Sequence, residues 1–369
     1  MLASILAGAL LTMSASDAPR TVPFDSDLWR WNAAEHRVEE HLGRPSLYLR
    51  DGTATVAGAR FTDGWIEFDI AFGRERGFMG GIWRVQDPDN YEEFYLRPHQ
   101  SGNPDATQYT PQFHDISGWQ LYHGERYTVP LVHRFDEWTR VRIVFSGLRA
   151  EVYVGDLEKP ALTIDELKRD VEPGSVGLSV GEFAPAWYSN FVYAAVEAPP
   201  LRGVPGKPVK PPEGTIPSWQ VSDAFPESAL AGKAALTRED LAARTWTRLA
   251  TESSGLANLA RVQGIQGRKN TVFARQRLTS GRERIQRLDF GFSDQVRVYL
   301  NGRLLFHGND SYRSRDYRFL GSIGYFDSLF LPLVKGENEL VFAVSEDAVQ
   351  GGWGIQAKLE DLAELALED

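Results

Sequence analysis

The sequence predicts an all-β protein: two β-sandwich (jelly-roll) domains joined by a proline-rich linker. Three observations carry this. Short stretches of strict two-residue alternation between apolar and polar side chains recur along the chain, the pattern of a strand with one buried face. The segment Ala198 to Pro217, APPLRGVPGKPVKPPEGTIP, is dense in proline and has no apolar periodicity. Helix-type spacing is almost absent. The resulting division is a signal peptide at 1–18, a first sandwich at 19–197, a linker at 198–218 and a second sandwich at 219–369. Both halves are of ordinary single-domain length.

In chain order, the uncharged run Leu2 to Met13 followed by Ser14, Ala15 and Ser16 has the length of a secretory h-region with a small-residue cleavage site, too short for a spanning helix. In WIEFDIAF, Trp65 to Phe72, the residues Ile66, Phe68, Ile70 and Phe72 share one face. WTRVRIVF, Trp138 to Phe145, turns Val141, Ile143 and Phe145 inward, and LRAEVYV, Leu148 to Val154, follows a Ser-Gly turn. Further strands are expected at Thr53 to Phe61, Gly77 to Val85, Tyr91 to Arg97, Ser175 to Val180 and Trp187 to Ala195. Only Asp165 to Arg169 reads as helical in this half. Proline at the linker's density fixes φ and removes donors, so the linker should be extended and semi-rigid, and the halves should fold separately.

In the second half, Val296 to Leu300 and Arg303 to Phe306 flank Asn301-Gly302, a pair that tolerates the positive φ of a tight type I′ hairpin. Ser328 to Val334, Glu339 to Val344 and Trp353 to Leu359 add strands. Thr237-Arg-Glu-Asp240 resembles a capping box and starts a short helix, and the tail Asp361 to Glu368 is a second helix candidate.

Composition narrows the function. The chain has 40 Lys and Arg against 50 Asp and Glu, a net charge of −10. Without a basic stripe it is a poor partner for a phosphate backbone, so nucleic acid is not expected. With no cysteine there is no disulfide framework, thiolate nucleophile or Cys-type zinc site.

Two resemblances follow from longer phrases. GWIEFDIAF (Gly64 to Phe72), GFMGGIWRVQDPDNYEEFYLRPH (Gly77 to His99) and WTRVRIVFSGLRAEVYV (Trp138 to Val154), in that order, resemble the concanavalin A-like lectin/glucanase superfamily, which includes laminin G-type and 3-keto-disaccharide hydrolase-type domains. DFGFSDQVRVYLNGRLLFHG (Asp289 to Gly308), LPLVKGENELVFAV (Leu331 to Val344) and GGWGIQAKL (Gly351 to Leu359) resemble the galactose-binding-like jelly roll that precedes the catalytic barrel in family 2 glycoside hydrolases. No such barrel follows here, so its chemistry is not carried over. The first resemblance implies a sandwich that hosts lectins, hydrolases and inert spacers alike.

Glu67 and Asp69 lie two apart on one strand face. In glucanases of the laminarinase type, a Glu-x-Asp-x-x-Glu strand supplies two carboxyls about 5–5.5 Å apart for a retaining mechanism. Here the third acid is missing, and a solvated or hydrogen-bonded strand face is the preferred reading. The stretch from Arg84 to His123 is richer in groups that suit sugars: flat apolar rings for C–H surfaces and planar, multi-donor side chains for hydroxyls. From it Arg84, Tyr95, Arg97, His99, Gln108 and Trp119 are nominated as ligand-binding residues, against the plain alternative that they close the sandwich and pair across strands. Along its strand, Tyr91, Glu93, Tyr95 and Arg97 share one face. His99, His114 and His123 lack the register of a metal site, Asp87-Pro-Asp-Asn90 reads as an Asx-rich turn before a calcium loop, and Asp310 to Tyr317 reads as a solvated loop.

The expectation is therefore an exported, periplasmic or extracellular protein that binds an oligo- or polysaccharide without cleaving it, uses no cofactor or metal, and is not inserted in a membrane once its signal is removed. Two alternatives stay open. One is a glycoside-cleaving enzyme using carboxylates of the first domain, and the other is a structural or protein-interaction module.

Overall fold

The computed structural model describes residues 18–347 and 351–368; the apolar run Leu2 to Met13 lies outside them. The protein is an all-β sandwich protein, and the chain divides into two compact units. The first comprises residues up to Gln86 together with Glu93–Thr107 and Val129–Pro205. The second comprises Asp87–Glu92, Gln108–Thr128 and everything from Gly206 onward. The units meet at Pro205 and Gly206 along the chain, inside the proline-dense segment, but two stretches of the first half belong to the second unit.

The strands before the linker are β1 (Arg20–Thr21), β2 (Trp29–His41), β3 (Arg44–Val56), β4 (Gly64–Ala71), β5 (Met79–Asp87), β6 (Asn90–Leu96), β7 (Thr107–Phe113), β8 (Ile116–Ser117), β9 (Thr139–Ser146), β10 (Arg149–Val154), β11 (Leu162–Ile164), β12 (Ser175–Val180) and β13 (Ala186–Ala195). In the first unit they run β11-β10-β9-β4-β13-β3-β12-β5, with β1 added to β13 and β2 to β3. The alternation expected for WIEFDIAF and WTRVRIVF becomes a cross-strand register. Ile66 faces Ile143 and Phe68 faces Val141, all buried, and each such side chain contributes roughly 1.5–3 kcal/mol. The sheet curls so that its inner faces share one core. Trp83 of β5 stacks on Phe145 of β9, and a Cβ at Gly81 would meet Phe68, Ile66 and Ile143 at 2.9–3.1 Å; only glycine permits that approach.

This half differs from the sequence reading in several places: the strand expected at Thr53 to Phe61 ends at Val56, and β7 and β11 lie outside the expected strands. β2, thirteen residues long, escaped it because Trp29–His41 is mostly exposed and charged, with no clean alternation; it is an edge strand held by pairing to β3 and protected by its charges. Asp165–Arg169 is not helical. Its backbone is bent because Leu167 is drawn into the core, its N–H donating to the Leu148 carbonyl.

The linker carries almost no regular structure, yet both ends are anchored. Glu151, fully buried, accepts from the N–H groups of Arg202 and Gly203 within the first unit, while Ile216 is buried in the second.

The second unit adds β14 (Ser218–Ser222), β15 (Trp246–Ala250), β16 (Leu256–Asn258), β17 (Thr271–Ser280), β18 (Arg284–Ser293), β19 (Gln295–Leu300), β20 (Arg303–Asn309), β21 (Asp327–Leu333), β22 (Gly336–Ser345), β23 (Gly354–Leu359) and β24 (Leu365–Leu367). They form two antiparallel sheets, β15-β14-β17-β22-β19-β20 and β16-β23-β18-β21. Trp219, Phe290, Phe292, Phe342 and Trp353 fill the core between them. Asn301 and Gly302 adopt φ of 50° and 80°, the positive pair a type I′ hairpin requires. Thr237 caps the helix α1 (Arg238–Ala242) in a complete capping box with Asp240. The tail is not a helix: Leu365–Leu367 pairs with β17 as β24, because its apolar residues complete a sheet edge.

The stretches taken from the first half are part of this core. Phe113 and Ile116 join its main cluster, and Leu121 and Tyr122 pack with Leu256 and Ile323. Tyr122 donates to Glu252 at 2.5 Å and accepts from Asn258. His114 and His123 bond the carbonyls of Ala260 and Ile323.

Candidate functional site

The first unit carries an open cleft of about 470 Å³, within the range of small-ligand sites. Its charged and aromatic lining comes from three strands and two loops: Arg44 opening β3, Asp69 near the end of β4, Arg140 on β9, His133, Arg134 and Trp138 in the loop before β9, and Asp156 in the loop that follows Val154. Leu96, Leu131, Val132, Phe72 and Val154 supply apolar surface.

The chemistry centres on Asp69. Alternation points Ile70 and Phe68 into the core and leaves Glu67 and Asp69 on the opposite face of β4, against Arg142 and Arg140 of β9. Asp69 is nonetheless only 2% exposed. Its Oδ1 accepts from Arg140 Nε at 2.8 Å, and its Oδ2 accepts from Arg44 at 2.7 Å, Arg140 at 3.1 Å and Asn190 at 2.7 Å. Burial alone would raise its pKa. The hydrogen bonds from Arg140 and Asn190 and the charges of Arg140 and Arg44 outweigh that, and the carboxyl titrates below its usual range. Glu67 is similarly engaged, by Arg142 and Arg140.

A carboxylate saturated by donors is a weak nucleophile and a weak proton donor. Its effect here is to hold two guanidinium groups at the cleft wall, and both keep over two-fifths of their side chains exposed. Trp138 is half-buried, with the Arg44 guanidinium 5.3 Å from its ring centre and His41 edge-on. Its indole N–H donates to the Leu42 carbonyl.

The nominated residues fall in several places. Tyr95 and Arg97 come together: Arg97 donates to the Tyr95 hydroxyl at 3.3 Å and to Asp105 at 3.0 Å, and both are buried. His99 packs edge-on against Phe78, whose ring also meets Tyr95 and Arg97. Phe183, 44% exposed, and Arg76 extend this surface. Glu93, on the same strand face, keeps some exposure, yet burial pushes its carboxyl up to about 7.

Arg84 is elsewhere. It is buried and its guanidinium ties the Thr62 and Gly147 carbonyls to Asp63. Gln108 and Trp119 belong to the second unit. Gln108 is buried and donates to the Tyr109 and Tyr122 carbonyls, while Trp119 is half-buried. The Asp87 carboxylate is taken by its own turn, accepting from Asp89 N–H and from Asn90.

Sequence reasoning did not nominate Arg44, Trp138 or Arg140. The available signal was the register itself: a strand with acids on its outer face paired with a neighbour, WTRVRIVF, bearing arginines on the matching face.

No family model matches this chain, nor does any curated relative. Among solved structures it is similar to the carbohydrate binding module CBM66 from Bacillus subtilis, at 14% identity over 46% of this chain and 96% of that one, with a TM-score of 0.34. It is also similar to a Bacillus licheniformis β-glucanase, at 12% identity over 48% and 98% and a TM-score of 0.34. A putative glycosyl hydrolase from Parabacteroides distasonis matches at 12% identity over 49% and 100%, with a TM-score of 0.36.

Proposed function

We propose that this protein is exported and binds carbohydrate, without cleaving it, through the cleft of its first unit. The observation that carries this reading is the composition of the cleft wall: a half-buried indole beside two arginines whose orientation is set by one buried carboxylate. An aromatic ring suits the C–H face of a sugar, and guanidinium forks suit its oxygens. The half-buried Phe78 and His99 and the exposed Phe183, backed by the buried Tyr95 and Arg97, offer a second contact on the same unit. The retained donors on Asp69 and Glu67 disfavour these acids as a catalytic pair. The test is retention on polysaccharide gels: Trp138→Ala should lower it about tenfold with the thermal midpoint unchanged within a few degrees. Wild-type retention in that variant would remove the cleft from the binding site.

One observation favours hydrolysis as a second reading. Glu93 holds its proton to about pH 7 while keeping some exposure beside Tyr95, which is the condition of a general acid. Under this reading the purified protein releases reducing sugar from a glycan and Glu93→Gln abolishes the release. Absence of release by the native protein across a panel of glycans would leave binding alone.

A further inference from the structure

Resting on the binding role proposed for this cleft, we propose that its ligand is an acidic glycan, one whose sugars carry a carboxylate or a sulfate ester. The cleft gathers three arginines, Arg44, Arg134 and Arg140, against two carboxylates, Asp69 and Asp156, in a chain whose net charge is −10. His133, the other titratable group in the wall, is buried and bonds the Ala106 carbonyl, and burial lowers its pKa against that bond.

The arrangement of these charges matters more than their sum. Arg44 presents one nitrogen to Asp69 and has no other described carboxylate partner, while Arg140 presents two to Asp69 and its third to Glu67, and both side chains keep over two-fifths of their surface exposed. Two forks sharing one buried carboxylate are oriented before any ligand arrives, so a second oxyanion meets fixed donors with little ordering cost. Arg134 is exposed, and no described carboxylate pairs with it. A neutral sugar needs acceptors as well as donors, because each hydroxyl does both. The carboxylate at the centre of this wall has its oxygens already filled by four hydrogen bonds. Donors in excess of open acceptors select a ligand that only accepts, which is an oxyanion. Trp138, beside Arg44, lies where the sugar ring that bears the anion would stack.

The full chain is tested on immobilised polygalacturonate, dextran sulfate and neutral laminarin. Retention on one or both anionic polymers and not on laminarin is expected, weakening with salt, and which polymer is held tells carboxylate from sulfate. Arg134→Ala, which removes no described hydrogen bond or ion pair, and Arg44→Gln should each weaken anionic retention at least tenfold. Retention on laminarin alone would overturn the acidic-glycan inference and leave the binding role standing. Anionic retention unaltered in both variants would assign it to non-specific charge and overturn the inference too. Absence of retention on all three polymers would remove both the inference and the binding role beneath it.

Discussion

The two units use buried and half-buried charge in opposite ways. In the first, Asp69 is compensated by two arginines and an asparagine and stays ionised at a cleft wall. In the second, Asp294 and Glu346 are buried without a basic partner among their described contacts, and burial, together with the neighbouring acids, raises both. Asp294 reaches about 8, and Glu346 moves well above its ordinary value. A charge kept in place by partners can serve a ligand. A carboxyl kept neutral by burial ties the stability of the core around it to pH. This contrast supports the proposal that the binding surface lies in the first unit.

The units also differ in how they are assembled. The first uses only residues that precede Gly206, while the second draws Asp87–Glu92 and Gln108–Thr128 from the first half of the chain. The largest effect should come from testing this dependence. A fragment beginning at Gly206 lacks Phe113, Ile116, Leu121 and Tyr122, and large-to-small losses in a core cost about 2–5 kcal/mol each. Four of them exceed or match the roughly 5–15 kcal/mol that a domain has in total. The fragment 206–369 is therefore expected to be unfolded by circular dichroism, while full-length Phe113→Ala folds but shows early loss of hydrogen-exchange protection along β17 and β22. A fragment with a cooperative melt of its own would show the borrowed segments to be dispensable.

Next in size is the internal control for the first unit. Arg84 and Arg140 both bond acids of that unit, but Arg84 is fully buried and Arg140 is not. Removing one partner of a buried pair costs about 3–5 kcal/mol, so Arg84→Ala should lower the melting temperature by many degrees and leave the affinity of the surviving folded fraction unchanged. Arg140→Ala should weaken binding strongly and lower the melting temperature less than Arg84→Ala, because Arg44 and Asn190 still bond Asp69. Equal destabilisation by the two would mean that the cleft arginine acts as a structural brace.

These two arginines also show how far the sequence could be read. Alternation in WIEFDIAF and WTRVRIVF was enough for the strands, their inward faces and the hydrogen-bonded outer face of Glu67 and Asp69, because period two is a local property. Residue type does not reveal the burial of Arg84, which sits with φ of 49° at an irregularity in the pairing of β5 with β12 and donates to the Gly147 carbonyl. Gln108 and Trp119 were nominated for their closeness in sequence to Arg97, whereas the chain leaves the first unit between them. The cleft was not legible, since Arg44, Asp69 and Arg140 are brought together by pairings across nearly a hundred residues. The proline-dense segment was visible as a boundary, but no local signal marks residues 108–128 as belonging beyond it.

The pH response tests the electrostatic contrast directly and should be smaller. A carboxyl whose folded pKa lies above its unfolded value binds its proton more tightly when folded, so its contribution is fully present below the unfolded value and is lost as pH rises through the folded one. For Asp294 that window runs from 3.8 to about 8. Asp69 has the opposite sign: its contribution is present above pH 3.8 and is lost as pH falls below it. Protection of β17 and β22 amides should therefore fall between pH 5 and pH 8, and Asp294→Asn, neutral at every pH, should flatten the slope. In the first unit Glu93 has the same sign as Asp294 up to about 7, so β4 and β9 are best followed in Glu93→Gln. If β17 protection instead rises with pH, the buried acids of the second unit have partners that keep them charged, and the contrast between the units fails.

The smallest effect expected on stability is also the sharpest test of where the ligand sits. The edge strand β2 carries Glu35, Arg37 and Glu39, whose ion pairs are largely exposed. Such pairs are worth about 0–1 kcal/mol, and they lie on a strand that contributes no residue to the cleft lining. Glu35→Ala should move the melting temperature by a degree or less and leave retention on any polysaccharide unaltered. Arg134→Ala should move the melting temperature just as little, since no described partner is lost, yet weaken retention. Two surface substitutions of equal structural consequence then separate cleft from general surface charge: the first makes the chain's net charge less negative by one and the second makes it more negative by one. If the Glu35 variant strengthened retention by as much as the Arg134 variant weakened it, net charge alone would govern binding and the cleft of the first unit would have no special role.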